Sequence, residues 1–327
     1  MGKNNLSIVI IGRNEGERLS RCIKSAIHET DKVIYVDSGS TDNSIELAKQ
    51  LGVEVINLDL SIPFTAARAR NAGFEFLNAQ HPSLSYVQFI DGDCELVEGW
   101  IQQGLDFLGA NPQFAVVCGR RRERFPNASI YNLLCDLEWD TPVGETKSCG
   151  GDALMRVDAL KAVNGFNGRL IAGEEPELCI RLRQTGWKIY RLDAEMTLHD
   201  AAMSRFWQWW KRSQRAGYAF AEGAYLYGMS PEKYRLKEII SIFIWGGIIP
   251  ILLLFLSINN QWFMLGWLVY LLQIIKVAIK KHKLISRRLS LLYASFVMLA
   301  KFPQFNGMMD FILNKKNNKV YKIIEYK

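Results

Sequence analysis

Four short apolar runs, each stopping at a polar cluster, constrain this chain more than any other feature. Residues 6–11 end at Gly12, and residues 15–27 then place Leu19, Cys22, Ile23 and Ile27 at helical spacing. Residues 32–36 read as a second strand, and Thr41-Asp42-Asn43-Ser44 opens a helix over residues 45–51. Residues 53–58 are a third strand, 66–77 a third helix and 86–90 a fourth strand. Such alternation predicts a Rossmann-like α/β domain with a mostly parallel sheet and helices on both faces. In that architecture ligands bind beyond the carboxyl ends of the strands. The polar clusters at 12–15, 37–42 and 91–93 all stand at such ends, so they are expected to converge on one crevice.

The fourth strand carries the sharpest chemical signal. It ends in Asp91-Gly92-Asp93, two acids that extended backbone would project to one side. Neighbouring carboxylates repel, so a cation is their natural partner, and carboxylate oxygen selects Mg²⁺ or Mn²⁺. Mg²⁺ commonly completes its shell with substrate phosphates, which points to a phosphorylated ligand. Further on, Glu174-Glu175 follows a glycine and opens a helix, where either acid can serve the helix dipole or act as a general base. His199, beyond residues 188–192 and a short spacer, is a candidate additional metal ligand. Arg68 and Arg70 diverge on a helix, so at most one of them is expected to face the crevice. At the strand ends, the plain structural alternative to a binding role is capping, which Asn14 could supply for the first helix and Thr41 or Asp42 for the second.

The tail has another character. Residues 239–258 carry no charge over twenty positions, enough to cross a bilayer as a helix, and 262–279 form a second apolar run flawed only by Lys276. Twelve of the 40 Lys/Arg lie from Lys276 onward against only Asp310 and Glu325, so the net charge of +7 is a tail of +10 on a body of −3. That distribution suits an anionic membrane surface and argues against nucleic acid. The basic flank after the second run places both ends of the hairpin in the cytoplasm. Residues 7–11 are too short for the apolar core of a signal peptide, so the first region is expected to stay there too. Residues 289–313 are apolar but broken by Lys301, Pro303, Gly307 and Asp310, as interfacial helices are. The expected division is a catalytic domain over 1–235, a transmembrane hairpin over 236–280 and a basic amphipathic tail over 281–327. The six cysteines show no C-x-x-C pair or Cys/His cluster and read as reduced structural thiols.

Taken in order, the pieces GRNE, DSGSTD, ARNAG, DGD, GGDALMR (residues 150–156) and GEEPELCIRLR resemble the family 2 glycosyltransferases of the GT-A fold, over about residues 5–210. The resemblance implies that Gly12, Arg13, Asn14 and Glu15 and then Asp37 and Ser38 hold the base and ribose of a nucleotide-sugar donor. It implies that Arg70, Asn71, Gly151 and Asp152 contribute near the donor. Asp91 and Asp93 would hold the divalent cation bridging its diphosphate. Glu175, with Glu174 as the alternative, would take the acceptor proton in an inverting transfer. Two positions depart from the family pattern: Ser38 replaces a second aspartate, and Glu175 replaces the aspartate of a Glu-Asp pair. The expected enzyme faces the cytoplasm from the membrane and glycosylates a lipid-linked acceptor in surface polysaccharide or glycolipid synthesis. A polyprenyl-phosphate sugar synthase is a close variant. A non-catalytic nucleotide-binding scaffold would have no need of the acids. A sugar nucleotidyltransferase would want an N-terminal glycine-rich phosphate loop, and none is present.

Overall fold

The computed structural model describes residues 5–282 and 284–317; the last ten residues of the basic tail, and Lys283 within it, lie outside the described residues. The first elements are β1 (Leu6–Gly12), α1 (Glu17–Ile27), β2 (Val33–Asp37), α2 (Ser44–Gln50), β3 (Glu54–Asn57), α3 (Ala66–Gln80) and β4 (Tyr86–Asp91). The chain continues through β5 (Cys94–Leu96), α4 (Trp100–Ala110), β6 (Phe114–Glu123), α5 (Ile130–Trp139), β7 (Gly144–Thr146), β8 (Ala153–Arg156), α6 (Val157–Ala162), α7 (Glu174–Gln184) and β9 (Lys188–His199). Two compact units result, Met1–Ser204 and Arg205–Lys327.

The first unit is the expected mixed α/β domain. Its sheet runs β3-β2-β1-β4-β8-β6-β9-β5, with β7 on β9. The ladders among β1, β2, β3 and β4 are parallel, whereas β8 enters antiparallel between β4 and β6. β1, β2 and β4 are buried on alternate residues of both faces, which requires cover on each side and explains their unbroken Ile/Val runs. On α1 the buried positions Leu19, Cys22, Ile23 and Ala26 form one helical stripe. Thr65 caps α3 by accepting from the Arg68 N–H. Gly73 lets α3 lie close on the sheet, since a Cβ there would stand 2.5 Å from the Val9 side chain.

Strand order reverses at β1, with β2 on one side and β4 on the other, and this is the switch point where a crevice opens. Register levels the polar ends: Gly12 pairs with Asp37, and Ile11 with Asp91. At the far side of the sheet Glu123 and Cys94 both pair with His199. The strand ending there is longer than expected, because β9 continues without a spacer to His199.

In the second unit α8 (Phe206–Tyr227) is followed by α9 (Leu236–Ile242), a π-helical turn (Phe243–Ile248) and α10 (Ile249–Asn259). A 3₁₀ segment (Gln261–Trp267) leads into α11 (Leu268–His282), then α12 (Arg287–Leu299) and α13 (Lys301–Lys316). Leu236–Asn259 and Gln261–His282 are each long and apolar enough to cross a membrane. Their apolar side chains point outward, among them Ile251, Phe255 and Leu272. α8 and α13 cross backbone against backbone: a Cβ on Gly217 would lie 2.1 Å from the Gln304 carbonyl oxygen, and one on Gly307 would lie 1.9 Å from that of Gln214.

Candidate active site

The first two strand-end loops are stitched to each other. Asn14 takes a left-handed backbone (φ 57) and its Oδ1 accepts from the Thr41 N–H at 2.7 Å, while its own N–H donates to Ser40 Oγ. It therefore does not cap α1, whose N-cap is Gly16; a side chain spent across the loops is unavailable to the helix. α2 begins after Asn43, with Asp42 accepting from the Ser44 N–H. Arg13 donates to the Gly39 carbonyl and lies over the Phe64 ring. Asp37 is 1% exposed, its carboxylate taken by Tyr35 Oη–H, the Gly39 and Ser40 N–H groups and the Ser40 hydroxyl. It shapes the loop around Ser38, which is itself buried. The methylenes of Glu15 pack over Gly12 and Gly92, where a Cβ would meet its Cγ at 3.0 and 3.2 Å.

Arg70 is the hub of the crevice. Only 2% of it is exposed, and it faces three carboxylates. Nη1 reaches Glu174 Oε1 at 2.8 Å and Glu175 Oε1 at 3.0 Å, and Nη2 reaches Asp91 Oδ1 at 2.8 Å. Burial alone would lower the guanidinium pKa, but Glu175, Asp91 and Glu174 outweigh it and hold the charge firmly in place. Burial and the Glu174 charge push Glu175 up to about 7, against the opposing pull of Arg70. Gly151 makes the arrangement fit, since a Cβ there would stand 2.6 Å from Arg70 Nη2 and 2.8 Å from Asp91 Oδ2. As expected, Arg68 diverges, donating to the carbonyls of Asp59, Ile62 and Pro63. Asn71 also turns aside, exchanging hydrogen bonds with the Phe166 backbone.

The two acids of Asp91-Gly92-Asp93 do not share an extended side, because Gly92 and Asp93 turn the chain between β4 and β5. Asp91 points to Arg70 and to Arg121 Nη2 at 3.1 Å. Asp93 Oδ2 instead meets His199 Nε2 at 3.3 Å. Asp152 lies beneath, fully buried, accepting from the Asp91 N–H and the Thr197 hydroxyl. Its placement anchors the Asp91 backbone.

Asp93 and His199 fit a divalent cation on their own chemistry. Burial, then the Arg121 charge, lower the imidazole pKa, so the ring is neutral at pH 7 and carries one N–H. Yet both ring nitrogens face carboxylate oxygens at 3.3 Å, Nδ1 toward Glu123 Oε2 and Nε2 toward Asp93 Oδ2. Whichever nitrogen bears the proton, one lone pair faces an anionic oxygen, and a cation relieves that conflict. With Glu123 accepting from Nδ1–H, the Nε2 lone pair and Asp93 become a nitrogen–oxygen donor pair, with the Cys94 thiol close by.

Sequence reasoning missed Arg121, Glu123 and Trp139. Arg121 bridges Asp91 and Asp152 and lies over the Trp139 ring, whose edge meets His199. In the run Arg120-Arg121-Arg122 the register of β6 on β9 shifts between Arg120 and Arg121, so plain strand alternation does not give the direction of Arg121. Nothing local marked Glu123 as the partner of a histidine 76 positions away.

Residues 7–160 match the family described as Glycosyl transferase family 2. Glycosyltransferase AglE of Haloferax volcanii is 24% identical over 205 residues, spanning 56% of this chain and 63% of that protein. Succinoglycan biosynthesis protein ExoA of Rhizobium meliloti is 29% identical over 190 residues, spanning 54% and 57%. The chain thus matches less than two thirds of the length of these relatives. Among solved structures, mannosyltransferase PcManGT from Pyrobaculum calidifontis, in complex with GDP-Man and Mn²⁺, superposes with a TM-score of 0.53 at 16% identity over 98% of this chain and 89% of that one. S. aureus TarS gives 0.53 at 13% identity, over 92% and 55%. Both likenesses are of fold.

Proposed function

Through residues 7–160 the chain belongs to the family 2 glycosyltransferases, and from that premise we propose that it transfers a sugar from a nucleoside-diphosphate donor to an acceptor hydroxyl or phosphate. The observation that carries this reading is the Arg70 hub, where one buried guanidinium holds two glutamates and the aspartate of the strand-end turn together. The stitched loops carrying Gly12, Arg13, Asn14, Glu15, Asp37 and Ser38 would receive the nucleoside. Arg70 and Gly151 would form the wall against which the sugar diphosphate lies, while Asn71 and Asp152 support it from behind through the Phe166 and Asp91 backbones.

Glu175 is the better base of the pair. Its carboxylate is the more exposed of the two, and an acid near 7 can accept a proton and later return it at neutral pH. Arg70 keeps it oriented, while Glu174 raises its proton affinity. The acceptor oxygen, deprotonated by Glu175, would attack the anomeric carbon from the side opposite the leaving diphosphate, inverting its configuration. Asp93 and His199, with Asp91 beside them, would hold Mn²⁺ or Mg²⁺, which supplies charge neutralisation for that diphosphate. PcManGT, one neighbour in fold, was solved in complex with GDP-Man and Mn²⁺.

The two apolar helices and the basic tail support a membrane-anchored enzyme working at the cytoplasmic face on a lipid-linked acceptor of surface glycan synthesis. The functional division we propose is catalytic through residue 235, hairpin over 236–280 and basic tail over 281–327. The test is donor turnover by full-length protein across a panel of nucleotide sugars with Mn²⁺. One donor should be consumed, and Asp93→Ala and Glu175→Gln should each lower its turnover by at least ~10²-fold; full turnover surviving both would refute the assignment.

A further inference from the structure

Six buried cysteines lie within the first unit, and two of them meet. Cys149 Sγ and Cys179 Sγ are 3.7 Å apart, although thirty positions separate them in sequence. By contrast, the Cys22 and Cys118 thiols donate to the backbone carbonyls of Asp91 and Tyr190. The pair joins two parts of the candidate active site. Cys179 is on α7, the helix that begins with Glu174 and Glu175. Cys149 stands two residues before Gly151, which touches Arg70 and Asp91.

We propose that Cys149 and Cys179 form an oxidation site, whose disulfide reversibly switches off the transfer reaction proposed above. Exposure and local chain geometry give the oxidant a route. Cys179 is fully enclosed, but Cys149 is 7% exposed in a stretch without regular structure. The adjacent Gly150 faces open space, where a Cβ would meet nothing within 4 Å. Either thiol can donate to the other, and whichever sulfur accepts is the one whose thiolate that hydrogen bond favours.

The chemistry balances with a small two-electron oxidant. A hydroperoxide converts one thiol to a sulfenic acid and leaves as the alcohol. The second thiol then displaces water from that sulfenic sulfur, and the S–S bond forms. Oxidised glutathione gives the same product by two exchanges, releasing two reduced glutathione molecules. Bonding at about 2.05 Å closes the sulfurs by roughly 1.6 Å. α7 is a regular helix, so the loop carrying Cys149 yields. Gly151 has no slack against Arg70 and Asp91, and the displacement passes into the hub. A shift of ~1 Å at reacting groups costs on the order of 10²-fold in rate.

The proposal rests on the glycosyltransferase reading, yet the two fail separately. Full-length protein is reduced, exposed to graded hydrogen peroxide or oxidised glutathione, alkylated and peptide-mapped, with Mn²⁺-dependent donor turnover measured in parallel. A Cys149–Cys179 linked peptide should appear in step with a loss of turnover of at least ~10-fold, and dithiothreitol should reverse both. Cys149→Ser should keep the reduced activity and lose the sensitivity. Should it fold poorly, Cys179→Ala serves the same purpose. Inactivation with both cysteines still alkylated, or a linked peptide with turnover unchanged, would overturn the switch. Reduced protein that consumes no nucleotide sugar would refute the enzyme reading alone, since the linked peptide is detected without turnover.

Discussion

The two units break opposite rules of protein architecture. In the first, charge is buried: Arg70 is shut inside with Asp91, Glu174 and Glu175, and Arg121 lies against Asp91 and Asp152. In the second, oil is exposed: Ile251 is 63% exposed, and its neighbours along α10 and α11 point outward with it. Buried charge is expensive and persists where a ligand or a reaction needs it. Exposed apolar surface of this extent, on two helices long enough to cross a membrane, is what the proposed membrane hairpin would require. The contrast is between a region that buries charge and one that exposes apolar surface.

The strongest blow to that contrast falls on the hub. Arg70→Ala would strip Glu174 and Glu175 of their shared cation and leave Asp91 to Arg121 alone, and should cost about 3–5 kcal/mol of stability along with all donor turnover. Thermal unfolding of the first unit reads this directly; an unchanged midpoint would mean the carboxylates are not held by Arg70. Glu175→Gln should lower turnover by ~10²–10⁴-fold while leaving the fold intact.

The same residue predicts the pH dependence. An acid raised to about 7 in the folded protein binds more protons there than when unfolded, between its ordinary value of 4.5 and 7. Its contribution to stability therefore falls as pH rises through that window, and the glutamine variant should flatten the slope. Activity should run the other way, rising with pH through about 7 as the base ionises. A pH–rate profile without that limb would exclude Glu175 as the base.

The second unit is tested by a charge. Ile251→Lys at an exposed position of a water-soluble protein should change stability by no more than ~0.5 kcal/mol. In a bilayer-spanning helix it should cost ~2.5–3.5 kcal/mol of insertion, seen as loss from the membrane fraction. The smallest effect belongs to ordinary scaffolding. Thr65→Ala removes the cap of α3 and should cost about 1 kcal/mol in chemical denaturation, giving the scale for the larger losses.

The sequence was legible wherever local pattern decides structure. Strand ends were marked by a change from Ile and Val to polar residues, and Glu174-Glu175 was marked by its place at a helix start. Pairings over long separations were not. Arg121 and Glu123 arrive beside Asp91 and His199 only through the register of β6 on β9, which contains irregularities that no local pattern announces. The mutual direction of Asp91 and Asp93 was misjudged for a related reason. An i, i+2 pair shares a side only while the backbone stays extended, and here it turns at Gly92. Asn14 looked like a cap because caps are local, but its actual partner, Thr41, lies across the crevice rim.

The meeting of Gly217 and Gly307 has a mechanical consequence. Where two helices touch through side chains, the rotamers form a compliant layer that can absorb a small displacement. At Gly217 and Gly307, α8 and α13 lie backbone directly on backbone, with the Tyr218–Phe311 rings and the Gln214–Asp310 hydrogen bond alongside. They should act as a welded pair of struts, so that a force on one is delivered undiminished to the other. Spin labels placed on the two helices should keep a fixed separation when donor and Mn²⁺ are added, and any change in that separation would show that the weld gives.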